Sequence, residues 1–158
     1  MRKIRVYLDA SVFGGTRDEE FAQPSRLFFD RVRRGEFVML LSPGTMRELA
    51  SAPQEVLSDS RGFAPECMEE VPLNDEVRDL AAEYVRAGVL GESSRSDAVH
   101  VAAATVAGAD LILSWNFRHL VNFNRIRGFN GVNVALGYRT MTILSPLEVA
   151  YEDQDQDV

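Results

Sequence analysis

The sequence predicts an α/β fold: a central, mainly parallel sheet of about five strands with helices on both faces. Two observations carry this. Short apolar runs alternate with segments of helical periodicity along most of the chain. The clearest runs, Phe37 to Leu41 and Leu111 to Leu113, are wholly apolar, as buried strands are. At 158 residues and 46% hydrophobic, with no internal repeat or linker, the chain suits one domain over residues 1–150. Residues 151–158 are polar and acidic and read as a disordered tail.

The elements follow in order. Ile4 to Leu8 reads as a strand that stops at Asp9, with Gly14-Gly15 marking a loop beyond it. Glu20 to Arg34 spaces Phe21, Leu27, Phe28 and Val32 as a helix does, and Gly35 ends it. Phe37 to Leu41 is the second strand, and Ser42-Pro43-Gly44 turns into a helix from Thr45 to Asp59 that Pro53 breaks or kinks. Met68 to Val71 is a short strand or a plain loop. Asn74 caps a helix whose Val77, Leu80, Ala81, Tyr84 and Val85 share a face, closed by Gly88 and Gly91. Ser93 to Ser96 introduces an alanine-rich helix to Ala107, apolar nearly all round and therefore central, with Gly108 at its end. Asp110 to Ser114 is the next strand, Arg118 to Arg127 a short helix, and Met141 to Leu144 a last strand after a Gly- and Asn-rich loop.

Composition narrows the function. Seventeen Lys and Arg against 24 Asp and Glu give a net charge of -7, which excludes a globally basic nucleic-acid binder but leaves room for a local basic patch. One cysteine, Cys67, excludes a disulfide scaffold and a cysteine-based zinc site, and it fits a reducing, cytoplasmic setting. With His100 and His119 the only histidines, a metal site has to be built mainly from oxygens. No apolar run approaches the roughly 20 residues of a membrane span, and no targeting segment is evident.

Ligands of open α/β sheets bind beyond the carboxyl ends of the strands. Asp9 follows the first strand directly, with Ser11 two residues on. Asn116 follows the Leu111 strand, with Ser114 just before it. Glu48 lies early in the helix after the second strand, and Asp97 in the first turn of the apolar helix. Taken singly, Asp9 fits a turn or cap, Asp97 a helix-dipole partner, Glu48 a surface residue and Asn116 an N-cap. The case rests on all of them sharing one edge. Gathered carboxylates repel unless something positive intervenes, and a hard cation such as Mg²⁺ or Mn²⁺ takes oxygen ligands of this kind. It also polarises a phosphodiester and acidifies a bound water, so no protein nucleophile is needed.

At these residues the sequence resembles the PIN-domain nucleases, and among them the toxin ribonucleases of VapBC-type toxin–antitoxin modules. Tyr7-Leu8-Asp9-Ala10-Ser11-Val12-Phe13 is similar to the family's opening strand, and Thr45-Met46-Arg47-Glu48-Leu49 to the helix bringing its Glu. Ser96-Asp97-Ala98-Val99-His100-Val101-Ala102-Ala103-Ala104 resembles the helix that opens with an acid and runs on in alanine. Ala109-Asp110-Leu111-Ile112-Leu113-Ser114-Trp115-Asn116 resembles the strand carrying Thr/Ser-x-Asp. The resemblance covers about residues 3–147. It implies a three-layer α/β/α domain and a metal-dependent endoribonuclease using Mg²⁺ or Mn²⁺. Asp9, Glu48, Asp97 and Asn116 are then the catalytic and metal-binding set, with Ser11 and Ser114 in support. It also implies an antitoxin whose peptide occupies the acidic site, and a homodimer. Asn116 departs from the family's fourth Asp. It brings no charge, so metal affinity should be weaker or fewer ions bound.

Charge placement favours an RNA substrate. Leu111 to Leu147 holds no Asp or Glu but has Arg118, Arg125, Arg127 and Arg139, and Arg118, Arg125 and Arg127 are the candidate RNA contacts. Arg26, Arg31, Arg33 and Arg34 form a second basic group. Trp115 suits base stacking less well than a core position. His100, one turn after Asp97, and His119 read as packed or surface residues. The alternative function is a noncatalytic or weakly active PIN-like module that binds RNA or protein. A phosphatase with Asp9 as nucleophile is weaker, because Asp9-Ala10-Ser11 lacks the second Asp such enzymes need.

Overall fold

The computed structural model describes residues 2–151; the expected disordered tail, from residue 152 onward, lies outside the described residues. The sheet comprises β1 (Ile4–Leu8), β2 (Phe37–Leu41), β3 (Met68–Glu70), β4 (Leu111–Leu113) and β5 (Ile143–Leu144). Their order is β3-β2-β1-β4-β5, and every pairing is parallel. Met68 pairs with Met39, which settles the ambiguous stretch as an edge strand. Successive strands grow outward from β1 on one side, and the chain then crosses to the other side for β4. The order therefore reverses between β1 and β4, where open sheets of this class leave a crevice at the strands' carboxyl ends.

Among the described residues seven α-helices connect the strands: α1 (Ala10–Gly15), α2 (Ala22–Arg33), α3 (Pro43–Ala50), α4 (Gln54–Ser60), α5 (Asp75–Arg86), α6 (Arg95–Ala107) and α7 (Phe123–Ala135). Strand alternation sorts the core into two layers. Val6, Leu8, Met39 and Leu113 face Val12, Phe28, Phe29 and Leu49 of α1–α3. Tyr7, Leu40 and Ile112 face Leu80, Tyr84, Val101 and Phe129 of α5–α7. The expected three-layer α/β/α architecture is thus present. The alanine run of α6 is buried from Val101 to Ala104, because only small side chains let a helix lie between a sheet and another helix. Gly108 ends α6 at φ +68°, a backbone region that costs a Cβ-bearing residue and costs glycine little.

Pro53 breaks the expected long helix into α3 and α4. Two features differ from the sequence reading. The segment after Asp9 forms a helix rather than a loop, since the Asp9 side chain accepts from Ser11 N and caps α1. The helix expected at Arg118–Arg127 lies later, and the expected Gly- and Asn-rich loop is its body. Leu120 N and Val121 N both donate to Asn116 O, which makes a tight turn, and Asn122 then caps α7 by accepting from Arg125 N at 3.2 Å. Glycine and asparagine serve packing here. A Cβ on Gly128 would stand 2.8 Å from Val89 Cγ1, and the buried Asn133 accepts from Tyr84 Oη at 2.5 Å. Asn130 bonds both backbone groups of Met141, donating at 3.1 Å and accepting at 2.7 Å, which ties α7 to the approach to β5.

Candidate active site

Asp9 ends β1 and is 5% exposed. One carboxylate oxygen accepts from Ser11 Oγ at 2.5 Å and Ser11 N at 3.1 Å; the other accepts from Ser114 Oγ at 2.6 Å. Both serines are themselves fixed: Trp115 N donates to Ser11 Oγ at 2.8 Å and Asn116 N to Ser114 Oγ at 2.9 Å. Adjacent parallel strands therefore hold the Asp9 carboxylate through hydroxyls whose own orientation the β4 exit determines. Burial pushes the Asp9 carboxyl above its ordinary value, opposed by the nearby His100 charge and the serine hydrogen bonds.

Ser42 caps α3 by accepting from Thr45 N at 3.3 Å, with Pro43 at the first helical position. Thr45 Oγ1 donates to Leu8 O at 2.7 Å, docking α3 against the end of β1. This sets Glu48 one helical turn further along. Its Oε1 accepts from Ala10 N at 3.3 Å and lies 2.9 Å from His100 Nε2. His100 is 2% exposed. Its Nδ1 is 2.6 Å from Tyr7 Oη, which in turn is 2.7 Å from Ser42 Oγ. Burial works against a charge on His100, but the Glu48 hydrogen bond and the surrounding oxygens prevail and push its pKa up to about 10. Burial also works against the Glu48 carboxylate, and the His100 contact outweighs it, leaving that acid below its ordinary value. At neutral pH the imidazolium donates from both nitrogens, to Glu48 and to Tyr7.

Asp97, in the first turn of α6, is held from the β4 side. His119 Nδ1 stands 2.9 Å from one carboxylate oxygen and Asn116 Nδ2 donates to the other at 3.3 Å. Asn116 Oδ1 accepts from His119 N at 2.9 Å, so the amide oxygen is directed at the backbone and the amide nitrogen at the acid. Asp9, Ser11, Ser114, Asn116 and Asp97 thus form one hydrogen-bonded chain, and Glu48 lies next to it on the backbone N of Ala10. All lie at the carboxyl ends of β1 and β4 or on the helices beside them, where strand order reverses.

Sequence reasoning placed these residues at one edge. It missed the role of both histidines and of Tyr7. The one local signal was spacing: His100 follows Asp97, and His119 follows Asn116, by three residues, about one helical turn. Trp115 is 7% exposed and belongs to the core, as expected. Among the candidate RNA contacts, Arg118 is exposed and lies in the turn after Asn116. Arg125 instead clamps the loop after α5, donating to Val89 O. Arg127 lies over the Phe123 ring, 5.6 Å from its centroid. In the second basic group, Arg31 and Arg34 pair with Glu36, and Arg33 with Asp30.

The donors are hard oxygens, the kind Mg²⁺ and Mn²⁺ take, and Mg²⁺ commonly binds through only one or two carboxylates with waters and phosphate completing its shell. By donor type alone, the carboxylates of Asp9, Glu48 and Asp97 suit such an ion. Among the described residues no three His, Cys, Asp or Glu side chains converge into a ready-made metal cage.

No protein-family model and no curated protein matches the sequence. Solved structures do. VapBC2 from Rickettsia felis, solved with a DNA fragment of its promoter, superposes with TM-score 0.57 at 10% identity, over 90% of this chain and 98% of that one. VapC20 from Mycobacterium tuberculosis, a toxin that cleaves the sarcin–ricin loop, gives 0.55 at 13% identity, over 86% and 98%. FitAcB from Neisseria gonorrhoeae gives 0.57 at 12% identity, over 91% and 99%. The fold is that of the VapC-type PIN domains. Asp9, Asp97 and Asn116 are linked by hydrogen bonds where β1 and β4 end. No helix among the described residues is long and apolar enough to cross a membrane.

Proposed function

We propose that this chain is a divalent-metal-dependent endoribonuclease of the PIN type, acting in the cytoplasm as the toxin of a toxin–antitoxin pair. The observation that carries the proposal is the hydrogen-bonded chain from Asp9 to Asn116 and Asp97, with Glu48 on Ala10 N beside it, where strand order reverses. Its similarity in fold to VapBC2, VapC20 and FitAcB supports the same reading.

Asp9 and Asp97, with Glu48, are the residues that would hold Mg²⁺ or Mn²⁺, and Asn116 would supplement them. The bound ion would supply Lewis-acid activation of the phosphodiester and a water acidic enough to act as nucleophile. The protein's own groups do the positioning. Ser11 and Ser114 fix both oxygens of Asp9. His100, backed by Tyr7, holds Glu48 and offsets negative charge where a phosphate has to approach. His119 and Asn116 orient Asp97. Arg118, exposed in the turn beside Asn116, would contact the RNA backbone. Arg127, exposed on α7, and Arg125, if released from Val89, would extend that track.

The partner would be an antitoxin whose peptide occupies this acidic crevice, with the toxin itself a homodimer. The test uses structured RNAs incubated with and without Mn²⁺, alongside an Asp9→Asn/Asp97→Asn variant and a chelator control. Cleavage should need the metal and both acids. Equal cleavage by wild type and variant overturns the assignment.

One observation favours a second reading, a noncatalytic PIN-like module. Each acid already has protein partners, and no three-residue metal cage exists among the described residues. Metal titration calorimetry separates the two: no metal binding together with no cleavage favours the module.

A further inference from the structure

Beside the acids lies an aromatic ladder. Its inner rung is Trp115, the single tryptophan, whose Nε1 donates to Ser25 Oγ at 2.9 Å. Gly15 closes the space behind it, since a Cβ there would stand 2.5 Å from both the indole nitrogen and Ser25 Oγ. Phe21 stacks on the indole with centroids 4.0 Å apart and planes 15° apart. Phe117 forms the outer rung, 6.3 Å from Phe21 and 6.0 Å from Trp115, edge-on to the indole. It is 45% exposed, while Trp115 beneath it is 7% exposed.

A lone exposed phenylalanine is ordinary. This one has rigid aromatic backing, and its sequence neighbours point to a ligand. Asn116, immediately before it, touches Asp97. Arg118, immediately after it, is an exposed cation with no hydrogen bond, ion pair or ring contact among the described residues. A half-exposed aromatic ring and an unpaired guanidinium on consecutive residues match the two parts of a nucleotide.

We propose that Phe117 and Arg118 form a subsite for one unpaired nucleotide flanking the scissile phosphate, with the base stacked on Phe117 and its phosphate held by Arg118. This rests on the ribonuclease reading above. A base has to leave its duplex to present a face, so the subsite selects unpaired RNA. Stacking carries little base identity, and the subsite discriminates structure rather than sequence.

The experiment measures binding of a fluorescent 2′-O-methyl oligonucleotide, single-stranded or annealed to its complement, by anisotropy. Cleavage of the matching RNA is followed in parallel. Base–aromatic stacking contributes about 1–3 kcal/mol, so Phe117→Ala should weaken single-strand binding by about 5- to 150-fold. Phe117→Leu should lose as much despite its bulk, and Phe117→Tyr should restore binding. KM for unpaired RNA should rise more than kcat falls. Duplex binding should not change. Arg118→Gln should weaken binding and make it less sensitive to salt. Val134→Ala, beside Asp110 at the opposite end of the sheet, serves as the control and should bind as wild type.

Wild-type binding by Phe117→Ala, or a Leu variant equal to the Tyr variant, overturns the subsite while leaving the nuclease reading intact. Wild-type protein that neither cleaves nor binds RNA overturns both. If the Phe117 variants lose only an antitoxin peptide and keep RNA, the ring is a protein contact and the subsite assignment is wrong.

Discussion

Removing the Tyr7 hydroxyl should destabilise the protein through His100. Tyr7 and His100 are almost wholly buried, so bulk solvent does not reach the lost group. Phe at position 7 keeps the ring and its packing, so the change isolates one oxygen. That oxygen stands 2.6 Å from His100 Nδ1 and 2.7 Å from Ser42 Oγ. Ser42 keeps the Thr45 N–H donated to it at 3.3 Å, whereas the Nδ1 side of a charged imidazole is left bare. A hydrogen bond to a charged group contributes about 1.5–3 kcal/mol and a stranded buried group costs about 1–3, so we expect a loss of about 2–4 kcal/mol. For a domain of this length each kcal/mol lowers Tm by roughly 2–4 °C, which gives a drop of about 4–16 °C. The assay is thermal and urea unfolding of wild type, Tyr7→Phe, His100→Leu and the double variant. Groups sharing one network should show a coupling of about 0.5–3 kcal/mol. A Tyr7→Phe midpoint within about 1 °C of wild type, or strict additivity in the cycle, refutes the argument.

Other consequences are as direct. His100 titrates near 6.5 when unfolded and is raised to about 10 in the fold, so its contribution is complete below pH 6.5 and is lost as pH climbs toward 10. Urea midpoints of wild type should therefore fall more steeply over that range than those of His100→Leu; parallel profiles contradict this. Asp9 is raised from its ordinary value by burial, so its contribution is present in acid and declines as pH rises. Asp9→Asn should abolish cleavage yet gain stability relative to wild type between acidic and neutral pH, as pH-dependent melting would show. On α7, a Cβ at Gly131 meets nothing within 4 Å, while one at Gly128 would stand 2.8 Å from Val89. Gly131→Ala should stabilise by about 0.5–1 kcal/mol. Gly128→Ala should destabilise by about 1–3 kcal/mol, and Val89→Ala in the same chain should relieve part of that; two equal signs in chemical denaturation would count against the packing account.

How much could be read from residues alone follows from how local each signal is. A buried strand announces itself within five residues, as in Phe37-Val38-Met39-Leu40-Leu41, and the sheet follows from counting such runs. The acids were legible because strand ends are positions of known use, so Asp9 and Asn116 could be placed without knowing what they touch. Helix α7 was misread because glycine and asparagine are weak helix formers, and what holds them helical is contact with Val89, Tyr84 and Met141 from elsewhere in the chain. The histidines were missed for the same reason. His100 meets Glu48 across 52 positions and Tyr7 across 93, and nothing in the flanking sequence records either meeting.

The placement of β1 at the centre of the sheet has a consequence in time. Asp9 is made among the first residues, but its Ser114 partner lies 105 positions later. Ribosomes add about 5–20 residues per second, so roughly 5–20 s separate the two. For most of that interval, once residue 41 is made, the emerging chain has β1 and β2 but neither β4 nor the Ser114 hydroxyl that orients Asp9. The site closes only as the last third of the chain appears. If the chain is the nuclease proposed above, it carries no assembled site until β4 is made.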